Sequence, residues 1–380
     1  MKIDLLSGKS FWGICAGALL CIGAVDANAA PLKGDWPMLN FDAHGQRYNP
    51  YETVLSRKTV SSLQLAWKID IYDTLSSPAV VGGVLYAGSS RGAFNAYDAA
   101  TGEPLWSVST GGSATSSPAV ANGIVYVATS KGDFLALDAA TGATRWSAKL
   151  DSSASGSPAV SNNNVYIGAD SGTLYAFNAA TGAKLWNTDR WAAGLPNAPA
   201  ILNNIVYSLS FTGDMQAYDA KTGANLWTSH LDSTPTNYGS PVAANGRVYG
   251  NSDHRIGVFD AWTGAMIWWN GVGPNQDGSI AVAHGHIYAG TEDRVIWNYD
   301  KTGALKASDA QDYLCAAPTI ANGVMYSGAY DGHINAYDAQ SAKLLWSGAV
   351  VGRVTAPPVV ANGMLYAVAN GSVYAFGLKD

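Results

Sequence analysis

The chain has 380 residues, 48% of them hydrophobic and only 13% charged, with a formal net charge of -6. That composition excludes a disordered polymer, and the lack of any basic run leaves no footprint for a phosphate backbone, so no nucleic-acid partner is expected. The 42 glycines suit many tight turns and helix-forming runs are scarce, which makes all-β the expected class.

The first residues read as a targeting segment. Lys2 and Lys9 precede a largely apolar stretch from Phe11 to Val25, and Ala27-Asn28-Ala29 has the small-x-small form of a cleavage site. A signal peptide over residues 1–29, cut after Ala29, predicts a periplasmic or secreted protein with no transmembrane span in the mature chain. The apolar stretch is shorter than the roughly 20 residues a spanning helix needs. Cys21 follows Leu19-Leu20, whereas a lipid-attachment cysteine follows a small residue. Cleavage leaves Cys315 as the only cysteine, so no internal disulfide forms, and there is no CxxCH to attach haem.

Residues 30–62 form an N-terminal arm. Its segment DWPMLNFDAHGQRYNPYETVLSRKTVSS carries Pro37 and Pro50 among scattered polar residues, which argues against a regular element. LQLAWKI, residues 63–69, is a strand pattern carrying Trp67, the tail of a repeat whose beginning is missing.

Copies of one unit then follow without linkers. DAATGEPLW at 98–106 returns as DAATGATRW, NAATGAKLW, DAKTGANLW, DAWTGAMIW and DAQSAKLLW, with tryptophans at 106, 146, 186, 227, 268 and 346. A degraded copy, DKTGALKA, ends at Ala307 without one. Steps of 40 or 41 residues between the first five tryptophans mark a radial repeat. Each unit opens with a short strand around a proline, such as SSPAV at Pro78. A second strand follows with a tyrosine: Tyr86, Tyr126, Tyr166, Tyr207, Tyr249, Tyr288, Tyr326 and Tyr366. A third strand, the Asp-x-x-Thr-Gly turn and the tryptophan strand complete it. Four strands in about 40 residues make a propeller blade. The expected architecture is an eight-bladed β-propeller of four-stranded antiparallel blades over residues 63–380. The eighth blade stops at Phe376-Gly377 without a tryptophan strand, so the strand around Trp67 is expected to close the ring.

The aspartate and threonine of the turn suit hydrogen bonds to nearby backbone N–H groups, and the glycine suits a left-handed reversal. The tryptophan is a natural filler between wedge-shaped blades. This unit resembles the tryptophan-docking motif of the pyrroloquinoline quinone (PQQ) enzyme repeat family, and the likeness runs over residues 63–380. The arm, with Trp36, Pro37, Asp42, Arg47, Tyr48 and Pro50 followed by Leu63 and Trp67, is similar to the leading segment of quinoprotein alcohol dehydrogenases, polyvinyl-alcohol dehydrogenases included. The repeats also resemble BamB, the propeller subunit of the outer-membrane barrel assembly machine.

The first resemblance implies PQQ, a calcium or lanthanide ion, an alcohol or polyol substrate, a separate electron acceptor and no haem. The second implies a non-catalytic propeller that binds envelope proteins or peptides. Against the first stand the lack of adjacent cysteines to cap the cofactor and blades without long insertions.

Chemistry is expected on the face that carries the loops between blades and those between second and third strands. There, Arg91, Asp253, Arg255, Arg294 and Arg353 are candidate cofactor-binding residues, with Trp191 as a flat stacking surface. Asn275 or Asp277 can ligate a cation, and Asp312 or Asp277 can take a proton from an alcohol. Asp253-His254-Arg255 and Glu292-Asp293-Arg294 also read as solvated turns. Trp191, Tyr238 and Tyr313 allow carbohydrate binding as a further alternative. His284 and His286 alone are too few for a metal site.

Overall fold

The computed structural model describes residues 34–379 except 73–75, 115, 191–193, 196, 232–238, 253, 273–278, 291–295, 308–313, 315 and 355; at 296–298 and 305–307 only the backbone is described. Eight sheets, each an up-and-down run of four antiparallel strands, make an eight-bladed propeller. Blade 1 shows the pattern, from the inner strand Ala79–Val81 through Val84–Gly88 and Ala93–Asp98 to the outer strand Pro104–Ser109. The only helical element among the described residues is a 3-10 turn, Val60–Ser62. Inner strands of successive blades touch around the ring, and that of blade 8 touches that of blade 1.

Blade 8 closes as the orphan strand predicts. Leu63–Asp70 pairs antiparallel with Ser372–Leu378, in register from Leu63 opposite Leu378 to Asp70 opposite Ser372. The two ends of the chain thus share one sheet, and no blade edge is left open at a seam.

The docking turns explain their own sequence. In blade 1, Asp98 Oδ1 accepts the backbone N–H groups of Ala100 and Thr101 and the Thr101 hydroxyl, at 2.8–3.0 Å. Gly102 then takes a φ of +77°. Trp106 reaches from blade 1 to blade 2, where its Nε1 donates to Ala139 O at 3.0 Å. Tyr86, on the second strand of blade 1, donates its hydroxyl to the same oxygen at 3.2 Å. The same pair of donors meets Ala179 O, Ala220 O, Ala261 O and, across the closure, Ala99 O. Each of these five joints therefore satisfies two polar groups with one carbonyl, while the rings fill the wedge between blades.

Three joints differ. Trp268 Nε1 donates to Lys301 O of blade 6 at 3.3 Å without a tyrosine hydroxyl beside it, and Trp346 Nε1 donates to Leu63 O at 3.1 Å while the buried Tyr326 hydroxyl has no partner among the described residues. At the third, the outer strand of blade 6, Leu305–Ala307, lacks the tryptophan. The turn of blade 7 that would receive it has Ala342 where the other turns have glycine. A Cβ placed on Gly102, Gly142, Gly182, Gly223, Gly264 or Gly303 would lie 2.6–3.1 Å from the indole of the preceding blade. With no indole to exclude, the methyl of Ala342 fits, at a φ of +57°.

The arm runs inside the ring. Val80 N–H of blade 1 donates to Trp36 O, and Val120 N–H of blade 2 donates to Pro37 O. Ile201, Ala243, Val282 and Ile320, on the inner strands of blades 4 to 7, donate in turn to Ala43, His44, Gln46 and Arg47, at 2.6–2.9 Å. Tyr48–Asn49 then adds a parallel strand beside Thr319–Ala321, and Asn49 Nδ2 reaches Val360 O of blade 8 at 2.9 Å. The inner strand of every blade but the third is thereby met by the arm. Two residues before each donor, on the same edge, stand Pro78, Pro118, Pro199, Pro241 and Pro318, which have no N–H to leave unpaired; blade 6 has Ile280 instead.

Candidate functional site

The arm sits at the docking-turn end of the channel. Asp35 Oδ1 accepts Gly82 N–H and Asn362 Nδ2 at 3.2 Å, and Glu52 Oε2 accepts Gly363 N–H at 3.0 Å, all at turns between first and second strands. Arg57 adds an ion pair to Asp338 of the blade 7 docking turn at 3.0 Å. These contacts anchor the arm to the turns of that end, opposite the loop face that carries the candidate residues.

Three candidates on this face are described, and each is an arginine stacked on an aromatic ring. Arg91 of blade 1 lies 4.4 Å above the Tyr72 ring, and Arg353, which leads into blade 8, lies 4.5 Å above Tyr330 of blade 7. Both are exposed and belong to one sector of the ring, blades 7, 8 and 1. Stacking on a ring leaves the guanidinium edge free to meet a carboxylate. Arg255 instead lies 4.5 Å above Trp269, on the outermost strand of blade 5, which turns it toward the perimeter. Asp312, Asp277, Asn275, Trp191, Asp253 and Arg294 lie outside the described residues.

Other polar loop residues of blades 2 and 3 hold the loops themselves. Asp170 accepts the Ser153 and Ser155 hydroxyls and Ser155 N–H at 2.6–3.1 Å. Burial acts to raise the pKa of Asp151, but hydrogen bonds from Ser171, Thr173 and Tyr175 outweigh it and hold the carboxyl below its ordinary range. Arg190 Nε donates to Ser171 O at 3.2 Å, and Lys131 Nζ to Gly111 O at 2.6 Å. These groups have structural work and are poor candidates for chemistry. Among the described residues no three of His, Cys, Asp and Glu come together to hold a metal ion. His284 and His286 line a groove of about 460 Å³ between blades 6 and 7 with Arg57 and Tyr288, on the docking-turn face.

Sequence reasoning missed two things. The repeated tyrosine shows its role only when its hydroxyl is seen beside the indole N–H; a buried phenol in every copy was the available signal. The arm gave less warning. It shows no period, and its partners lie between 44 and 311 residues away.

The family model described as Outer membrane protein assembly factor BamB matches residues 53–188, 136–252, 212–313 and 309–380. The chain belongs to this PQQ-repeat propeller family. Among curated proteins, the dehydrogenase subunit of the quinone alcohol dehydrogenase of Gluconacetobacter polyoxogenes is 33% identical over 107 residues, which is 27% of this chain and 14% of that one. The same subunit from Gluconobacter oxydans is 38% identical over 78 residues, 20% of this chain and 10% of that one. The matched stretch is thus a small part of either relative.

Among solved structures, the quinohaemoprotein alcohol dehydrogenase ADHIIG of Pseudomonas putida HK5 superimposes with a TM-score of 0.79 at 16% identity, over 94% of this chain and 83% of that one. BamB from Moraxella catarrhalis does so at 0.71 and 22% identity, over 83% of this chain and 98% of that one. At such identities the likeness shows the fold alone. Among the described residues no helix is long and apolar enough to cross a membrane.

Proposed function

We propose that this PQQ-repeat propeller is an exported quinoprotein-type oxidoreductase that oxidises an alcohol or polyol on its loop face. The observation that carries this reading is the pair Arg91 and Arg353, each guanidinium stacked on a tyrosine ring in one sector of the loop face. The superposition on a quinohaemoprotein alcohol dehydrogenase covers 94% of the chain against 83% for BamB, which agrees with an arm shared with the former.

PQQ is a tricarboxylate, and the donor set on the loop face suits it. Arg91 and Arg353 would hold carboxylates, each guanidinium braced from behind by a tyrosine ring. Asn275 and Asp277 are assigned to a calcium or lanthanide ion, and Trp191, Asp253 and Arg294 to the cofactor's surroundings. Asp312 or Asp277 would take the hydroxyl proton of the substrate as its carbon gives up a hydride. When bound, the quinone supplies the two-electron acceptor, and a separate protein or dye carries the electrons on. The leader, residues 1–29, is assigned to export, ahead of an arm at 30–62 and a propeller at 63–380.

Addition of PQQ with calcium or a lanthanide to the purified protein should give a stoichiometric absorbance change and alcohol-dependent dye reduction. Arg353→Ala should weaken PQQ binding by about 10-fold or more. Absence of binding at micromolar PQQ would end this reading.

A second reading, docking of envelope proteins, has one observation in its favour. The edge of blade 5 exposes Trp262, Met266, Ile267 and Trp269, each by 41–55%. Capture of envelope proteins that is lost in Trp269→Ser would favour it.

A further inference from the structure

Arg47 is held in the arm where it crosses blade 7. Its N–H donates to Asn40 O at 3.0 Å and its carbonyl accepts Ile320 N–H at 2.9 Å. Its φ is +52°, a left-handed conformation that a long side chain seldom adopts. The side chain is sealed in, with 2% of the residue exposed, yet Nε and Nη1 meet no acceptor. Nothing on the same arm compensates. Trp36 Nε1 and Asn40 Oδ1 are likewise buried without partners, and the Asn40 amide becomes a donor if turned over.

Burial pushes the Arg47 pKa down to about 9, and among the described residues no other group opposes that shift. The guanidinium therefore stays charged at neutral pH, and a buried charge needs a counter-charge. The carboxylates of the arm are engaged elsewhere. Asp42 binds His44 at 2.9 Å, while Asp35 and Glu52 cap backbone N–H groups at the docking-turn end. Buried water can satisfy the N–H groups but does not neutralise them.

We propose that the central channel holds a small monovalent inorganic anion, of chloride size, against the Arg47 guanidinium. One guanidinium balances one negative charge, which sets the valence of the ion. The anion would help tie the arm to blade 7, where Arg47 O already accepts Ile320 N–H. This site is independent of what the loop face binds.

Crystals of the intact wild-type protein soaked in sodium bromide should show an anomalous peak within hydrogen-bonding distance of the Arg47 guanidinium. In solution, exchange of sodium gluconate for sodium chloride at constant ionic strength should raise Tm saturably, by about 2–4 °C. Arg47→Met should abolish that rise and be at least as stable as the wild type in gluconate, because it removes the unpaired charge. An absent bromide peak, or a chloride response unchanged in Arg47→Met, would overturn the proposal. Should the variant fail to fold, the bromide experiment on the wild type decides alone.

Discussion

Gly182 and Ala342 occupy the same place in two copies of the docking turn, and opposite substitutions there should have opposite signs. A Cβ on Gly182 would sit 2.6 Å from the Trp146 ring at a φ of +72°, so Gly182→Ala meets both a clash and a strained backbone. We expect it to cost about 2–4 kcal/mol in urea denaturation. Ala342→Gly relieves a left-handed alanine with no indole to receive, and should stabilise by roughly 0.5–1 kcal/mol. Equal effects at the two positions would contradict the account of the missing tryptophan.

His44 offers a test through pH. Its hydrogen bond to the Asp42 carboxylate raises its pKa above the ordinary 6.5, against the opposing effect of burial. A raised histidine contributes stability that is fully present below pH 6.5 and is lost as pH rises through the raised value. Between about pH 5.5 and pH 8.5 the urea midpoint should therefore fall more in the wild type than in Asp42→Asn. The effect will be small, because the pair is partly exposed and screened by solvent.

Strands and turns were the most legible elements, because each blade states its local chemistry afresh. The Asp-x-x-Thr-Gly signature implies its own hydrogen bonds, and Asp98, Asp138, Asp219 and Asp260 all make them. The closing strand could be inferred from arithmetic alone, as a tryptophan strand without a blade facing a blade without a tryptophan strand. Removal of residues 63–70 should leave Ser372–Leu378 with a bare edge and abolish the cooperative thermal transition; a variant that melted with the wild type would refute closure by this strand. The candidate site was legible only as residue types on one face. Arg91 and Arg353 stack on tyrosine rings of neighbouring loops, but nothing in the spacing of Arg255 and Trp269 announced that a flat ring would draw the guanidinium to the perimeter.

Across the whole molecule, the blade count followed from periodicity, whereas the course of the arm did not. Periodicity reports contacts that recur, and the arm makes each of its contacts once. It meets every blade but the third through a hydrogen bond to an inner strand, and its own order follows theirs: Trp36 at blade 1, Ala43 at blade 4, Arg47 at blade 7, Asn49 at blade 8. That order has a temporal consequence. The acceptors on the arm precede every blade in the chain, yet the circle of donors they meet exists only once all the blades stand side by side. The segment made early is thus among the last to settle, and until it does, the inner-strand N–H groups it meets face the channel without their partners.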